Sequence, residues 1–101
     1  MTRAPAGERR VHVRICGRVQ GVGYRAWVAR TAEQLLLSGF VRNERSGSVE
    51  AAFTGSAEAV AEMLTLLEIG PPSAEVTSVT LLDEGGPAHQ GFTVLPTPPP
   101  P

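Results

Sequence analysis

Residues 17–25 read Gly17-Arg18-Val19-Gln20-Gly21-Val22-Gly23-Tyr24-Arg25 and join an apolar strand to a helix. Three glycines within seven positions permit positive φ angles and a close approach of the backbone to a ligand. The unpaired N–H groups of the first helical turn attract an anion, and Arg25 offers a planar fork of donors that suits phosphate oxygens. The pattern predicts a phosphate-binding loop, here called the cradle (residues 17–24), next to Arg25.

The glycine spacing fits neither common nucleotide-binding motif. Positions 17, 21 and 23 do not match the dinucleotide fingerprint, and a Walker-type loop needs a lysine, which the sequence does not contain. Nucleotide binding is therefore disfavoured. On the loop alone, an ordinary glycine-rich turn with a solvated arginine is an equally good interpretation.

A second segment, Gly39-Phe40-Val41-Arg42-Asn43, decides between these interpretations; Gly47-Ser48-Val49-Glu50 and Gly55 follow it. Together with residues 17–25 it resembles the two signature segments of the acylphosphatase family, small enzymes that hydrolyse the mixed anhydride of a carboxylate and phosphate. Both segments recur at the separation found in that family, and the resemblance covers roughly residues 11 to 95.

The resemblance implies that Arg25 and backbone amides of the cradle bind the phosphoryl group, while Asn43 holds the attacking water. Because an acyl phosphate has a good carboxylate leaving group, positioning and electrostatics suffice for its hydrolysis. The implied enzyme is an acylphosphatase that uses no metal or cofactor and acts on a small acyl phosphate. Inorganic phosphate is expected to compete with this substrate for the cradle. Without the resemblance, Asn43 would be interpreted as a strand-end residue that satisfies local backbone groups.

Hydrophobic periodicity predicts the elements around these two segments. The predicted order is a strand over 11–16, a helix over 23–35, strands over 39–45 and 48–54, a helix capped by Ser56 and ended by Gly70-Pro71-Pro72, a bulged strand over 75–82 and a short strand over 92–95. The order β-α-β-β-α-β with an extra C-terminal strand predicts an α+β fold, the ferredoxin-like split βαβ arrangement. In that fold two helices cover one face of an antiparallel sheet. Leu36 falls where a left-handed cap of the first helix is expected.

The 101 residues suffice for one domain, predicted over residues 11–95 between a flexible leader (1–10) and a proline-rich tail (96–101). No apolar run reaches the ~20 residues that span a bilayer, and the arginine-rich N-terminus does not resemble a secretory signal. The single cysteine excludes an internal disulfide. We therefore expect a cytoplasmic protein without a membrane partner, and a monomer.

Charge is distributed unevenly along the chain. All nine basic residues are arginines at or before position 45, where they outnumber three glutamates and give a net charge of +6, whereas residues 46–101 carry −7. The positive half contains both signature segments, which suits a small anionic ligand better than a nucleic acid that needs a broad basic face. If the charges interleave in space after folding, this asymmetry has no consequence.

Two other functions stay open at this point. The same fold serves RNA-binding modules, but these stack bases on aromatic side chains of the sheet, and the aromatic content is only 5%. The second is a non-catalytic or carrier-specific acylphosphatase-like domain, of the kind fused to larger maturation enzymes.

Three further residues have less specific interpretations. Trp27 is expected to cover the junction of helix and loop rather than to stack on a substrate. Cys16 is interpreted as a strand thiol rather than a nucleophile, since no base lies near it in sequence. His12 is expected to be a surface residue rather than a general base.

Overall fold

The computed structural model describes residues 8–86 and 89–99 of the chain. The described residues form β1 (Glu8–Arg18), α1 (Tyr24–Gln34), β2 (Ser38–Asn43), β3 (Val49–Ser56), α2 (Ala57–Ile69), β4 (Glu75–Glu84) and β5 (Phe92–Val94). This is the predicted split βαβ order with one additional C-terminal strand. Neither helix of the described residues is long and apolar enough to cross a membrane.

The strands form one sheet in the order β4-β1-β3-β2-β5, in which only β5 pairs in parallel, with β2. Side chains alternate between the two faces of the sheet, so the apolar set of each strand lies on the same side. On this helix-covered face lie Val11, Val13, Ile15, Val41, Val49, Ala51 and Phe53, all buried. The helices pack their own apolar residues against this face: Tyr24, Val28 and Ala32 from α1, and Val60, Met63 and Leu67 from α2.

One row across the sheet positions the candidate site. Val49 in β3 pairs with Ile15 in β1 on one side and with Asn43 in β2 on the other. The cradle begins two residues after Ile15, so Asn43 lies at the same end of the sheet as the loop. Asn43 also shares the helix-covered face with Val41, as the alternation predicts.

The prediction of a flexible leader is wrong for residues 8–10, which belong to β1. They pair with the end of β3, where Glu8 lies opposite Ser56, and Arg9 also bonds Glu84 at 2.6 Å. Their side chains alone have no apolar alternation, so the sequence did not indicate a strand. Residues 1–7 lie outside the described residues.

Other predicted boundaries shift by one or two residues. β2 ends at Asn43 rather than at 45, because the chain turns there and the Glu44 N–H donates to the Ser48 carbonyl at 2.8 Å. β3 and β4 extend to Ser56 and Glu84, since each continues to pair with the longer β1. Residues 96–99 form neither helix nor strand, and the last two residues of the predicted tail lie outside the described residues.

The predicted caps and bulge are confirmed. The Ser56 hydroxyl accepts a hydrogen bond from the Ala59 N–H at 3.0 Å, and α2 ends before Gly70. β4 contains two register shifts against β1, which explains its broken alternation. Leu36, after α1, has a φ of 60° and is the one non-glycine residue with positive φ among the described residues.

Candidate active site

A pocket of about 250 Å³ opens at the N-terminal end of α1. Its lining residues come from the cradle, the first turn of α1 and β5: Val19, Gly21, Gly23, Tyr24, Arg25, Ala26 and Val94. The pocket therefore lies where the sequence predicts the binding site for phosphate. Six of the seven lining residues come from one continuous stretch of chain, and β5 supplies the seventh.

Gly21 and Gly23 have the left-handed backbone that the cradle was predicted to need, with φ of 74° and 79°. A Cβ at either position would meet no described atom within 4 Å, so the space in front of both is open. The first α-helical hydrogen bond of α1 runs from the Trp27 N–H to the Gly23 carbonyl at 3.1 Å. The N–H groups of the residues before Trp27 thus have no acceptor within the helix, which is the general property of helix N-termini that favours anions.

Gly17 has a different role from the other two glycines. Its φ is 127°, and a Cβ there would lie 2.1 Å from the Glu75 carbonyl oxygen. This glycine therefore permits the close approach of β1 and β4 and does not line the pocket. Arg18, the next residue, is exposed at the end of β1 and does not line it either.

Two side chains, Gln20 and Ser73, brace the cradle with three hydrogen bonds. The Gln20 amide donates to the carbonyl oxygens of Glu44 and Ser48, both at 2.8 Å, and so ties the loop to the turn between β2 and β3. The Ser73 hydroxyl donates to the Val22 carbonyl at 2.8 Å from the connection between α2 and β4. Sequence reasoning assigned Gln20 only to the phosphate-binding loop and missed this bracing, which no local pattern indicates.

Tyr24 fixes the end of the cradle through its side chain. The ring is 1% exposed, and its hydroxyl donates to the Leu67 carbonyl at 3.0 Å near the end of α2. Burial raises the pKa of the Tyr24 hydroxyl. The phenol is therefore a structural anchor, and any ligand contact of Tyr24 comes from its backbone.

Arg25 lies in the first turn of α1, is half-buried and lines the pocket. Among the described residues it forms no ion pair, in contrast to four arginines of the sheet. Those pairs are Arg9 with Glu84, Arg10 with Glu8, Arg14 with Glu44, and Arg42 with Glu50. The sequence asymmetry of charge is thus largely cancelled on the sheet, while the guanidinium of Arg25 stays available for an anion at the pocket.

Asn43 lies beside the cradle but does not line the 250 Å³ pocket. Gln20 donates a hydrogen bond to the carbonyl of Glu44, the residue after Asn43, and so holds the loop against this end of β2. The Asn43 Oδ1 atom is buried and has no hydrogen-bond partner among the described residues. A buried carbonyl oxygen without a partner is energetically unfavourable, so this atom is a strong acceptor for a bound water.

Glu44 stabilises the turn that carries the Gln20 acceptors. Its carboxylate receives two hydrogen bonds from Arg14, at 2.7 and 2.8 Å, and one from the Ser48 hydroxyl at 2.6 Å. The bond from Arg14, followed by that from Ser48, lowers the pKa of Glu44 to about 2. The carboxylate is therefore ionised at neutral pH and holds the turn through charge-assisted bonds.

Sequence reasoning missed two residues of the pocket: Ala26, which follows Arg25 directly, and Val94. The sequence assigned Val94 only to the last strand, because nothing local links residue 94 to residue 25. The parallel pairing of Val94 with Val41 places it on the helix-covered face, next to the start of α1. Trp27, considered as a substrate-stacking ring, instead packs against Tyr24 with ring centroids 5.5 Å apart and does not line the pocket.

His12 and Cys16 lie on the opposite, open face of the sheet. The His12 ring bonds the buried carboxylate of Glu50, which Arg42 also bonds at 2.6 Å. His12 is thus a member of a polar cluster on the sheet and lies away from the pocket. Cys16 is half-exposed in β1 and does not line the pocket either.

Comparison with known proteins gives one family. The family model described as acylphosphatase matches residues 11–94. An acylphosphatase from Bradyrhizobium diazoefficiens is 50% identical over 93 residues, which cover 86% of this chain and 94% of that protein.

Solved structures give the same result. The structure of an acylphosphatase from Coxiella burnetii superposes with a TM-score of 0.85 at 34% identity, over 94% of this chain and all of that one. Full-length HypF in a phosphate- and nucleotide-bound form matches with a TM-score of 0.81 at 25% identity, but this chain covers only 13% of it. The family match, the close relatives of similar length and the shared fold agree, and this chain belongs to the acylphosphatase family.

Proposed function

We propose that this chain hydrolyses small acyl phosphates to a carboxylate and inorganic phosphate, with Arg25 binding the phosphoryl group and Asn43 positioning the attacking water. One observation carries the assignment of the site: Arg25, which forms no ion pair among the described residues, lines a pocket together with two left-handed glycines at a helix N-terminus. Each of these features attracts an anion, and together they favour a phosphoryl group over a neutral ligand.

The proposed reaction is a single displacement at phosphorus. The oxygen of a water held by Asn43 bonds to phosphorus, the bond between phosphorus and the acyl oxygen breaks, and the carboxylate leaves with the electron pair. Asn43 has an amide that cannot take up a proton, so the water proton passes to a phosphate oxygen of the substrate. Arg25 and the N–H groups at the start of α1 stabilise the charge that develops on the equatorial oxygens.

Asn43 suits this role because its buried side-chain oxygen, which has no partner in the part of the chain that the structure describes, can accept a hydrogen bond from water. Gln20 and Arg14 hold it in register with the cradle, because both donate hydrogen bonds to Glu44, the residue that follows Asn43. A fixed water beside a fixed phosphate gives the proximity on which this reaction depends.

The carboxylate leaving group is stable as an anion, so the proposed mechanism needs no metal ion. We expect hydrolysis to continue in EDTA at an unchanged rate. A loss of activity in EDTA that a divalent ion restores would contradict the mechanism.

The direct test is hydrolysis of benzoyl phosphate by the purified protein and by Arg25→Gln. The substitution removes the charge that serves both ligand and transition state, so turnover should fall on the order of 10²-fold or more and inhibition by inorganic phosphate should weaken. Arg30→Gln is the matched control, because Arg30 is exposed on the same helix and lies outside the pocket. Equal losses in both variants would refute the role of Arg25.

Asn43→Ala separates the two proposed roles. Turnover should fall by a factor comparable to that of the arginine variant, while phosphate still inhibits with nearly unchanged affinity, because phosphate binding does not require the attacking water. Circular dichroism establishes that each variant is folded. If folded Asn43→Ala retains most of its turnover, or loses phosphate affinity as severely as Arg25→Gln, the assignment of Asn43 is wrong.

The two alternatives give different outcomes in the same assay. A carrier-specific domain would bind phosphate in the cradle but would not turn over benzoyl phosphate. An RNA-binding module would need an accessible basic face, whereas Arg14 and Arg42 of the open face are paired with glutamates. These pairs favour the small-anion function.

We further propose that the protein acts as a monomer in the cytoplasm. Every residue assigned to the site comes from one chain, so catalysis requires no second copy. Sedimentation equilibrium of the active protein tests the monomer, and cell fractionation tests the compartment.

A further inference from the structure

We propose that Val94 is a specificity residue that selects acyl phosphates with an apolar acyl group. This inference rests on the proposed function and extends it to the part of the substrate that is not phosphate. Val94 lines the pocket together with Arg25, and its side chain is 47% exposed although it is apolar. It is thus a hydrophobic surface next to the group that binds phosphate.

The position of Val94 follows from the sheet. β5 pairs in parallel with β2, and Val94 lies opposite Val41, which is fully buried under the helices. Val94 therefore points to the same face as Val41, toward α1. Phe92 lies on the same face two residues earlier and stacks on Phe53, with ring centroids 5.6 Å apart. This packing fixes β5 and with it the position of Val94.

The other apolar side chains of the pocket are less available to a ligand. Val19 and Tyr24 are each 1% exposed, so little of their surface can contact a substrate. Gly21 and Gly23 contribute backbone only. Ala26, which is exposed, offers a single methyl group. Val94 consequently supplies the largest accessible apolar surface of the pocket.

The geometry of the substrate makes this surface relevant. An acyl phosphate held by its phosphoryl group at Arg25 and the start of α1 must extend its acyl group out of the cradle, and β5 forms the adjacent wall. Contact between an apolar acyl group and Val94 removes apolar surface from water on both sides. A methyl-sized acyl group would bury much less surface, and inorganic phosphate has none.

The test compares benzoyl phosphate with acetyl phosphate in Val94→Thr and Val94→Ala. Threonine has nearly the shape of valine with a hydroxyl in place of one methyl, and alanine removes both methyls. Since one methylene in an enclosed pocket discriminates ~10-fold or more and this surface is half open, we expect the ratio of kcat/KM for benzoyl to acetyl phosphate to fall about threefold in each variant. The inhibition constant of inorganic phosphate should stay the same.

Thr93→Val is the matched control, because Thr93 lies on the same strand but lines a different pocket, on the opposite face. It makes the reverse exchange and should leave the benzoyl to acetyl ratio unchanged. The inference is overturned if both folded Val94 variants keep the wild-type ratio, or if Thr93→Val shifts the ratio equally. A wild-type protein that hydrolyses neither substrate would instead refute the proposed function, and this inference with it.

Discussion

The two ends of α1 each have a residue with left-handed backbone, glycine at the N-terminal end and leucine at the C-terminal end. Gly23 has a φ of 79° and Leu36 a φ of 60°. At the C-terminal end the chain closes on itself: the Leu36 N–H donates to the Glu33 carbonyl at 3.1 Å and the Leu37 N–H to the Ala32 carbonyl at 2.9 Å. These are the two hydrogen bonds of the Schellman motif.

The N-terminal end is organised in the opposite way. Gly23 has no side chain that could cap the helix, and the braces come from distant segments through Gln20, Tyr24 and Ser73. No side chain of the N-cap residue occupies the first N–H groups of the helix, while other elements hold the loop. The end of α1 that we propose as the ligand site thus depends on tertiary contacts, whereas the end that only stops the helix is closed by its own backbone.

Of the substitutions at the two ends of α1, Gly23→Ala should have the largest effect, since it should lower both stability and turnover. A Cβ there meets no described atom within 4 Å, so the cost to stability is the left-handed backbone alone, about 1 kcal/mol. If the loop relieves that strain by moving, the ligand donors move too, and turnover of benzoyl phosphate should fall roughly tenfold or more.

Gly85→Ala controls for the backbone cost, because Gly85 has a φ of 92° and equally open space but lies outside the pocket. Gly85→Ala should lower the urea midpoint by about as much as Gly23→Ala does, while its turnover of benzoyl phosphate stays unchanged. Equal turnover in the two variants would show that the cradle does not need the glycine backbone of residue 23.

Low pH should destabilise the turn that holds the cradle at the N-terminal end of α1, because it protonates Glu44. The folded-state pKa of Glu44 is lowered to about 2 from its usual 4.5, mainly by the hydrogen bond from Arg14. A lowered pKa contributes stability that is complete above about pH 4.5 and is lost as the pH falls toward 2. We expect Glu44→Gln to reduce the fall in melting temperature between pH 5 and pH 2.5, relative to the unmodified protein.

Glu84→Gln is the comparison for this measurement, because the Glu84 carboxylate is more exposed than that of Glu44 and exposed pairs stabilise little. It should change the pH dependence less than Glu44→Gln does. A larger change at Glu84 would mean that the turn beneath the cradle does not depend on the Arg14 bond.

Leu36→Gly, at the C-terminal end of α1, should have a smaller effect and should stabilise the protein. Leu36 is 88% exposed, so its removal costs little packing, and glycine relieves left-handed strain of about 1 kcal/mol. The urea midpoint should therefore rise. Leu36→Ala is the control: alanine retains the strain, so an equal rise there would attribute the gain to the loss of an exposed leucine.

Ending the chain at Leu95 should have the smallest effect, since it removes neither end of α1. The Leu95 N–H, which donates to the Val41 carbonyl at 2.9 Å, remains in the shortened chain. We expect stability to stay within about 0.5 kcal/mol and activity to be unchanged. A markedly lower melting temperature would show that the tail packs on the domain.

Much of the fold could be predicted because its signals are local. The alternation of Val11, Val13 and Ile15 indicates which face of β1 is buried, and all three are buried. Ser56 indicates the start of α2, and Leu36 the left-handed position after α1. Residues 8–10 escaped prediction because their strand is determined by its pairing with the end of β3.

The sequence by itself determined the backbone chemistry of the candidate site: glycines where φ must be positive, an arginine in the first turn of a helix, and an asparagine at a strand end. Motif and spacing encode such features because each depends on a few neighbouring residues. The tertiary structure alone decided what surrounds them. It brought Val94 to a pocket whose other walls lie some 70 positions earlier in the sequence, bound Gln20 to a turn, and paired the arginines of the sheet with glutamates. These contacts join residues far apart along the chain, and only the packing of helices on the sheet determines which of them meet.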